Sequence, residues 1–175
     1  MPGRAHLIRT SPGARRHTSR AWTGAVAWTA LLLSATGCAG PLELDAPRVS
    51  GADARACKAL VEALPASVAD QEQRSVDAGP GYAAAWGDPA IELRCGVARP
   101  AGLDRFAACQ VVNGVGWWIP EAQQTGRPEP ITMTTVGRAL DVEVRLPESY
   151  WPPATAMVDL APALTRTIRT VRPCV

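Results

Sequence analysis

The apolar segment at residues 21–38, AWTGAVAWTALLLSATGC, constrains this chain more than any other feature of its sequence. The residues before it carry five arginines and no acidic side chain, and the segment itself is uncharged and ends in small residues. A basic leader, an apolar run and a small-residue end are the three parts of a secretory signal peptide. The run is short for a membrane span, which needs about 20 apolar residues. The sequence therefore predicts export, so that the remaining residues fold outside the cytoplasm.

The small-residue end of this segment closes on a cysteine. Ala35-Thr36-Gly37-Cys38 resembles the lipobox of bacterial lipoproteins, although Ala35 stands where that family usually has leucine. The resemblance implies that residues 1–37 are removed and that Cys38 becomes the N-terminus, carrying a diacylglyceryl thioether and fatty chains such as palmitate. The protein would then be anchored to the outer face of the cytoplasmic membrane. An ordinary signal peptide cut near Gly37 and an uncleaved signal anchor remain the alternatives.

The charge after the leader excludes several classes of partner and mechanism. Five of the 18 basic residues lie in the leader, so 13 remain against 16 acidic residues, a net charge of −3. Nucleic-acid binding requires a basic patch, so no nucleic-acid partner is predicted. Both histidines, His6 and His17, also lie in the leader. Without them, an imidazole base, a Ser-His-Asp triad and the commonest zinc sites are excluded, and we predict neither a cofactor nor a metal.

Four cysteines remain once Cys38 is assigned to lipid. An even number in an exported chain predicts two disulfides, with three possible connectivities. The pairing that we predict is Cys57–Cys174 with Cys95–Cys109. A four-thiolate metal site is the alternative, but the sequence contains no C-x-x-C pair.

The rest of the chain predicts a tether and one α+β domain. Residues 38–52 contain two prolines and two glycines and show no helical or strand period, which predicts a flexible tether. Residues 53–175 form the domain, an antiparallel sheet of four to five strands with N- and C-terminal helices packed on one face. The expected elements are a helix at 53–64, strands at 91–97, 131–136 and 139–146, a hairpin turning at Asn113-Gly114, and a final helix capped by Asp159.

Three segments of the domain resemble a family of actinobacterial secreted proteins. They are AWGDPAI-x-LRCGV from residue 85, a later cysteine before V-x-G-V-x-W, and GRALDVEVRLPESY. The resemblance covers roughly residues 57–174. That family is a domain of unknown function that often carries a lipoprotein signal. It therefore implies export and disulfides without implying a reaction.

Aromatic and charged side chains are the candidate binding residues. Consecutive residues of a strand point to opposite faces, so we expect one of Trp117 and Trp118 to be exposed. An exposed indole suits stacking on a sugar or gripping a peptide. Core packing of the aromatic residues is the alternative, as is a purely turn-forming role for Asp88. The full candidate set is Trp86, Asp88, Arg94, Trp117, Trp118, Tyr150 and Trp151.

These features favour a non-enzymatic binding or assembly module of the cell envelope. Its predicted contacts are the membrane, through the lipid on Cys38, and an envelope protein or a cell-wall component. The alternative is a histidine-free hydrolase of cell-wall polysaccharide that uses two carboxylates. Its acids would come from Asp88, Glu92, Asp141, Glu143 and Glu148.

Overall fold

The computed structural model describes residues 40–104 and 107–174. The chain divides into two compact units, Met1–Gly37 and Cys38–Val175, and every described residue belongs to the second. The predicted leader and the predicted lipid attachment at Cys38 lie outside the described residues.

Two helices and ten strands make up this part of the chain. The helices are α1 (Gly51–Ala63) and α2 (Ala154–Thr167), and single 3-10 turns occur at Glu121–Gln123 and Glu148–Tyr150. The strands are β1 (Leu42–Glu43), β2 (Ser67–Val68), β3 (Gln71–Arg74), β4 (Val76–Asp77), β5 (Ala83–Trp86), β6 (Ile91–Cys95), β7 (Gln110–Val112), β8 (Val115–Trp118), β9 (Ile131–Val136) and β10 (Val142–Leu146).

Eight of the strands form one antiparallel sheet in the order β2-β3-β5-β6-β10-β9-β8-β7. The remaining two, β1 and β4, pair in parallel as a separate small sheet. The prediction of four to five strands is therefore wrong. The strands that it lacks are mostly short or polar: β2 has two residues, and β3 is Gln-Glu-Gln-Arg. Neither carries the alternation of apolar residues by which a half-buried strand is recognised.

Both helices pack against the same face of the large sheet, which we call the inner face. Leu93, Val144 and Met133 lie side by side on β6, β10 and β9 and are fully buried there. Leu60 of α1 and Leu164 of α2 belong to the same apolar cluster. The core therefore lies between the sheet and the helix pair.

Helix α2 begins earlier than its sequence predicts. Asp159 is not its N-cap but lies inside the helix, where its carboxylate accepts the backbone N–H of Ala69 at 2.8 Å. Pro162 is also inside the helix. Because proline has no backbone N–H, the carbonyl of Val158, four residues earlier, lacks its helical donor. Pro162 and Val158 are both exposed, so this carbonyl is near solvent. The helix therefore tolerates a proline in its interior.

A buried arginine fixes the end of α2 to the sheet. The Arg138 side chain donates to the carbonyl oxygens of Leu164 at 3.1 Å, Ile168 at 2.5 Å and Gly114 at 3.0 Å. Arg138 is only 4% exposed, and this burial lowers the pKa of its guanidinium from the ordinary value. The guanidinium thus joins the C-terminal end of α2 to the turn between β7 and β8.

The two disulfides pair the predicted cysteines differently from the prediction. Cys57 of α1 is bonded to Cys95 of β6, and Cys109 is bonded to Cys174. The predicted bond between Cys95 and Cys109 is excluded because Cys109 immediately precedes β7, which lies four strands from β6. At about 4.8 Å per strand, that separation is roughly 19 Å, far beyond the reach of a disulfide.

The disulfides indicate the compartment in which the protein folds. Such bonds form and persist in oxidising, extracytoplasmic environments. Among the described residues, neither helix is sufficiently long and apolar to cross a membrane.

Much of the predicted tether is instead part of the folded domain. The N–H groups of Leu42 and Leu44 donate to Ser75 and Asp77 carbonyls, each at 2.9 Å. Leu44 and Ala46 are buried against alanines of β5. The sequence Leu-Glu-Leu-Asp-Ala at 42–46 alternates apolar with acidic residues, as a half-buried strand does. Because prolines flank this short alternation on both sides, the segment has the composition of a linker.

Candidate binding face

The face of the large sheet that points away from the helices carries polar side chains at its centre. We call it the outer face. One row of residues crosses five adjacent strands there, each directly opposite the next across the ladder. In order from β5 to β8, the row consists of Ala83, Arg94, Glu143, Thr134 and Trp118. Side chains directly opposite one another are close enough to interact.

Ion pairs connect the central positions of this face. Arg94 donates from Nη2 to Oε2 of Glu92 at 2.7 Å and from Nη1 to Oε1 of Glu143 at 3.5 Å. The same Glu143 oxygen accepts from Nε of Arg145 at 2.9 Å. The Arg94 and Glu143 side chains are only 13% and 16% exposed, so these charges are shielded from water. Two cations and two anions make the network neutral.

Two polar atoms of the same row lack hydrogen-bond partners. They are Nε of Arg94 and Oγ1 of Thr134, and both are buried. A buried polar atom without a partner destabilises a fold by about 1–3 kcal/mol. Such atoms are uncommon in folded proteins, and one explanation for them is a functional role. Here both are near the middle of the outer face, on either side of Glu143.

A loop after β6 borders the outer face. Arg99 donates to both carboxylate oxygens of Asp141, at 3.1 and 3.2 Å. The hydrogen bond to Asp141, and then its negative charge, raise the pKa of Arg99. Gly102 lies against the indole of Trp118, since a side chain on Gly102 would begin 3.1 Å from Cζ2 of that ring. The loop therefore packs beside Trp118 and leaves the indole partly exposed.

The profile of a family described as a protein of unknown function (DUF3515) matches residues 19–173. The chain belongs to the DUF3515 family. No curated protein and no solved structure matches it. The match extends over every element of the sheet, so the outer face is part of the DUF3515 region.

Two of the aromatic candidates belong to the core of this DUF3515 protein. Trp86 and Trp117 are fully buried on the inner face. The Trp86 indole donates to the carbonyl of Pro65 at 3.0 Å. The adjacent Trp117 and Trp118 do point to opposite faces, as strand geometry requires. Neither Trp86 nor Trp117 is therefore available to an external ligand.

Other candidates lie at a separate place, around the turn between β5 and β6. Asp88 is exposed, and its Oδ1 is 3.7 Å from Nη1 of Arg74, which also donates to the Gly87 carbonyl at 3.0 Å. The Tyr150 hydroxyl is beside Gly87, where an added Cβ would lie 2.8 Å from it. Trp151 is partly buried against the core. Arg94 and Trp118 are thus the two predicted residues that the DUF3515 fold places in one row of the outer face, with β10 and β9 between them.

The carboxylates of the outer face are held by arginines. Glu92 and Glu143 contact Arg94, and Asp141 contacts Arg99. A carboxylate held by an arginine in this way has a fixed orientation, which suits the recognition of a partner. Within the described ranges, no group of three or more His, Cys, Asp or Glu side chains could hold a metal ion.

Sequence reasoning had not selected Thr134 or the Arg99–Asp141 pair as binding residues of the DUF3515 region. The sequence could have indicated Thr134, because consecutive residues of a strand point to opposite faces and its neighbour Met133 points to the core. The Arg99–Asp141 contact joins residues 42 positions apart and follows from the pairing of β6 with β10. No local pattern predicts it.

Proposed function

We propose that this protein is a lipid-anchored lipoprotein of the cell envelope that binds another envelope protein through its outer face. The observation that carries the proposal is the central row of that face, where Arg94 and Trp118 flank Glu143 and Thr134. Tryptophan and arginine are the side chains most enriched at the energetic centres of protein interfaces.

The position of β1 supports anchoring close to the membrane. Strand β1 starts at Leu42, four residues after Cys38. At no more than about 3.6 Å per residue, the link from a lipid on Cys38 to the folded domain spans roughly 14 Å at most. The domain would therefore remain near the bilayer surface, and its partner would be a protein of the same membrane or of the adjoining space.

Charge also favours a protein as the partner. The network around Arg94 and Glu143 has no net charge but has a fixed alternation of sign. Such an alternation gives specificity for a surface with the complementary alternation. A cell-wall glycan stacked on Trp118 is the other outcome that an experiment must distinguish.

Photo-crosslinking from the outer face tests this proposal. A benzophenone amino acid replaces either Arg145 on β10 or Val158 on α2, whose side chains are 52% and 44% exposed. In intact host cells we expect a discrete protein adduct from position 145 and none from position 158. The substitution Trp118→Ala should remove the adduct, since it deletes an anchor of the proposed interface, the indole that lies two strands from β10 on the same face.

Other results of this experiment would contradict parts of the proposal. Equal labelling from both positions, or labelling from position 158 alone, would contradict an outer-face interface. An adduct that disappears on digestion of the wall polysaccharide would identify a glycan instead of a protein. Independently, Cys38→Ser should release the protein from membranes or block its processing, and unchanged membrane retention would contradict the anchor.

A further inference from the structure

The C-terminal residues cross from the helix side of the protein to the outer face. After α2, the carbonyl of Arg169 accepts the N–H of Ala139 at 3.0 Å. The N–H groups of Val171 and Arg172 then donate to the carbonyl of Gly137, at 2.8 and 2.9 Å. Residues 169–174, the C-terminal segment, therefore run along the chain at the end of β9.

Two glycines make this path possible. At Gly137, whose φ is +69°, an added Cβ would lie 1.5 Å from the carbonyl oxygen of Arg172. At Gly116 on the outer side of β8, an added Cβ would lie 2.8 Å from Cβ of Cys174. The bond from Cys174 to Cys109 then fixes the segment at this position.

A groove lies between the C-terminal segment and residues 99–104 and 107–109. Its volume is about 480 Å³. Pockets that bind small molecules usually measure about 300–1,000 Å³ and combine apolar walls with a few polar groups. The walls here include Leu103, Val136, Val171, Arg99, Arg172 and the Cys109–Cys174 disulfide.

The two arginines that line the groove differ in whether an acidic side chain neutralises them. Arg99 is neutralised by Asp141, through the two hydrogen bonds described above. Arg172 is exposed, and its guanidinium has no hydrogen-bond or ion-pair partner among residues 40–104 and 107–174. Asp104 also lines the groove and is engaged in an interaction of its own. Among the described residues that line the groove, Arg172 is thus the cation available to a ligand.

We infer that this groove binds a small ligand with a carboxylate next to an aliphatic group. The carboxylate pairs with Arg172, whose planar guanidinium can donate two parallel hydrogen bonds to it. The aliphatic group lies against Val136 and Val171. A peptide C-terminus and a short fatty acid both offer this chemistry. The inference concerns a site beside the central row and does not depend on the lipid anchor or on a protein partner.

Titrations followed by NMR test the inference. The probes are N-acetyl-leucyl-alanine, its C-terminal amide and hexanoate, added to the full chain with both disulfides formed. Methyl signals of Val136 and Val171 report on the groove. We expect the free carboxylate to shift them and the amide to bind at least tenfold more weakly. Comparison of the dipeptide with hexanoate shows which source of carboxylate fits better.

A matched pair of variants locates the site. Arg172→Gln should weaken carboxylate binding at least tenfold. Arg169→Gln, at an exposed arginine of the same segment that does not line the groove, should leave it within twofold. Both residues are on the surface, so neither change should alter the remaining spectrum. Equal binding of acid and amide, or no difference between the two variants, would overturn the inference.

Discussion

Replacing Arg138 by methionine should destabilise the fold more than any other single arginine change among the described residues. The substitution keeps an unbranched apolar stem but removes the guanidinium, which donates to three carbonyl oxygens. The oxygen of Leu164 also accepts the N–H of Ile168 at 3.1 Å, so it stays satisfied. The oxygens of Ile168 and Gly114 would lose their donors.

The magnitude follows from those two carbonyl groups. The oxygen of Ile168 is buried, and an orphaned buried acceptor costs about 1–3 kcal/mol. Gly114 is an exposed residue, so water can replace the lost donor there, at a cost of about 1 kcal/mol or less. Removing a guanidinium whose charge has no buried counterion recovers part of that loss. We therefore expect the free energy of unfolding to fall by about 1–3 kcal/mol. Arg138→Lys should not restore it, because one ammonium cannot reach three separate acceptors.

Urea denaturation of the full chain with intact disulfides measures this loss. At an m-value near 2 kcal/mol/M, the midpoint should fall by about 0.5–1.5 M. Arg145→Met is the control, since Arg145 makes one half-exposed ion pair, worth about 0–1 kcal/mol. A loss below about 1 kcal/mol for Arg138→Met would refute the reasoning, because the two carbonyls would then have other donors.

Two further predictions follow from the C-terminal segment. The Cys109–Cys174 disulfide is partly exposed, whereas the Cys57–Cys95 disulfide is fully buried. Mild reductant followed by alkylation should therefore label Cys109 and Cys174 first. Simultaneous labelling of all four cysteines would contradict this prediction. Gly137→Ala should destabilise by about 3 kcal/mol, because its Cβ would collide with backbone. The same change at Gly126, which also has positive φ but open space around it, should cost about 1 kcal/mol in thermal unfolding; equal losses would contradict the predicted collision.

The part of the fold that the sequence predicts is the part with clear alternation. Strands β6, β9 and β10 alternate apolar with polar residues, and they form the centre of the sheet. The hairpin turn is also confirmed: Asn113 and Gly114 have φ of +47° and +78°, the positive values that a two-residue turn requires.

Non-local contacts account for what the sequence could not predict. The disulfide pairing depends on strand order, which places β7 at an edge of the sheet, away from β6. The role of Arg138 depends on carbonyls 26 and 30 residues away. Residues 42–46 alternate apolar with acidic residues, but the prolines on either side give the segment the composition of a linker, and its packing against β5 exists only in the assembled sheet. The disulfide pairing and the role of Arg138 follow from the assembled topology and from no local pattern.

The candidate binding residues also divide into those whose orientation the sequence predicts and those whose burial only the structure shows. Alternation along β6 and β8 determines which way Arg94 and Trp118 point, so both could be assigned to one face of a strand. Trp86 lies on β5, where all four residues are buried. Because both faces of β5 are covered, the inner by α-helices and the outer by residues 42–46, its aromatic residue is in the core. Only the assembled structure reveals that cover.

A non-reducing peptide map of protein extracted from host membranes tests the central claim most directly, namely that this chain is exported, anchored at Cys38 and folded around two disulfides. We predict an N-terminal peptide that begins at Cys38 and carries the mass of a diacylglyceryl group. We also predict two linked pairs, Cys57 with Cys95 and Cys109 with Cys174. Free thiols together with an intact leader, in protein recovered from the cytosol, would contradict the account.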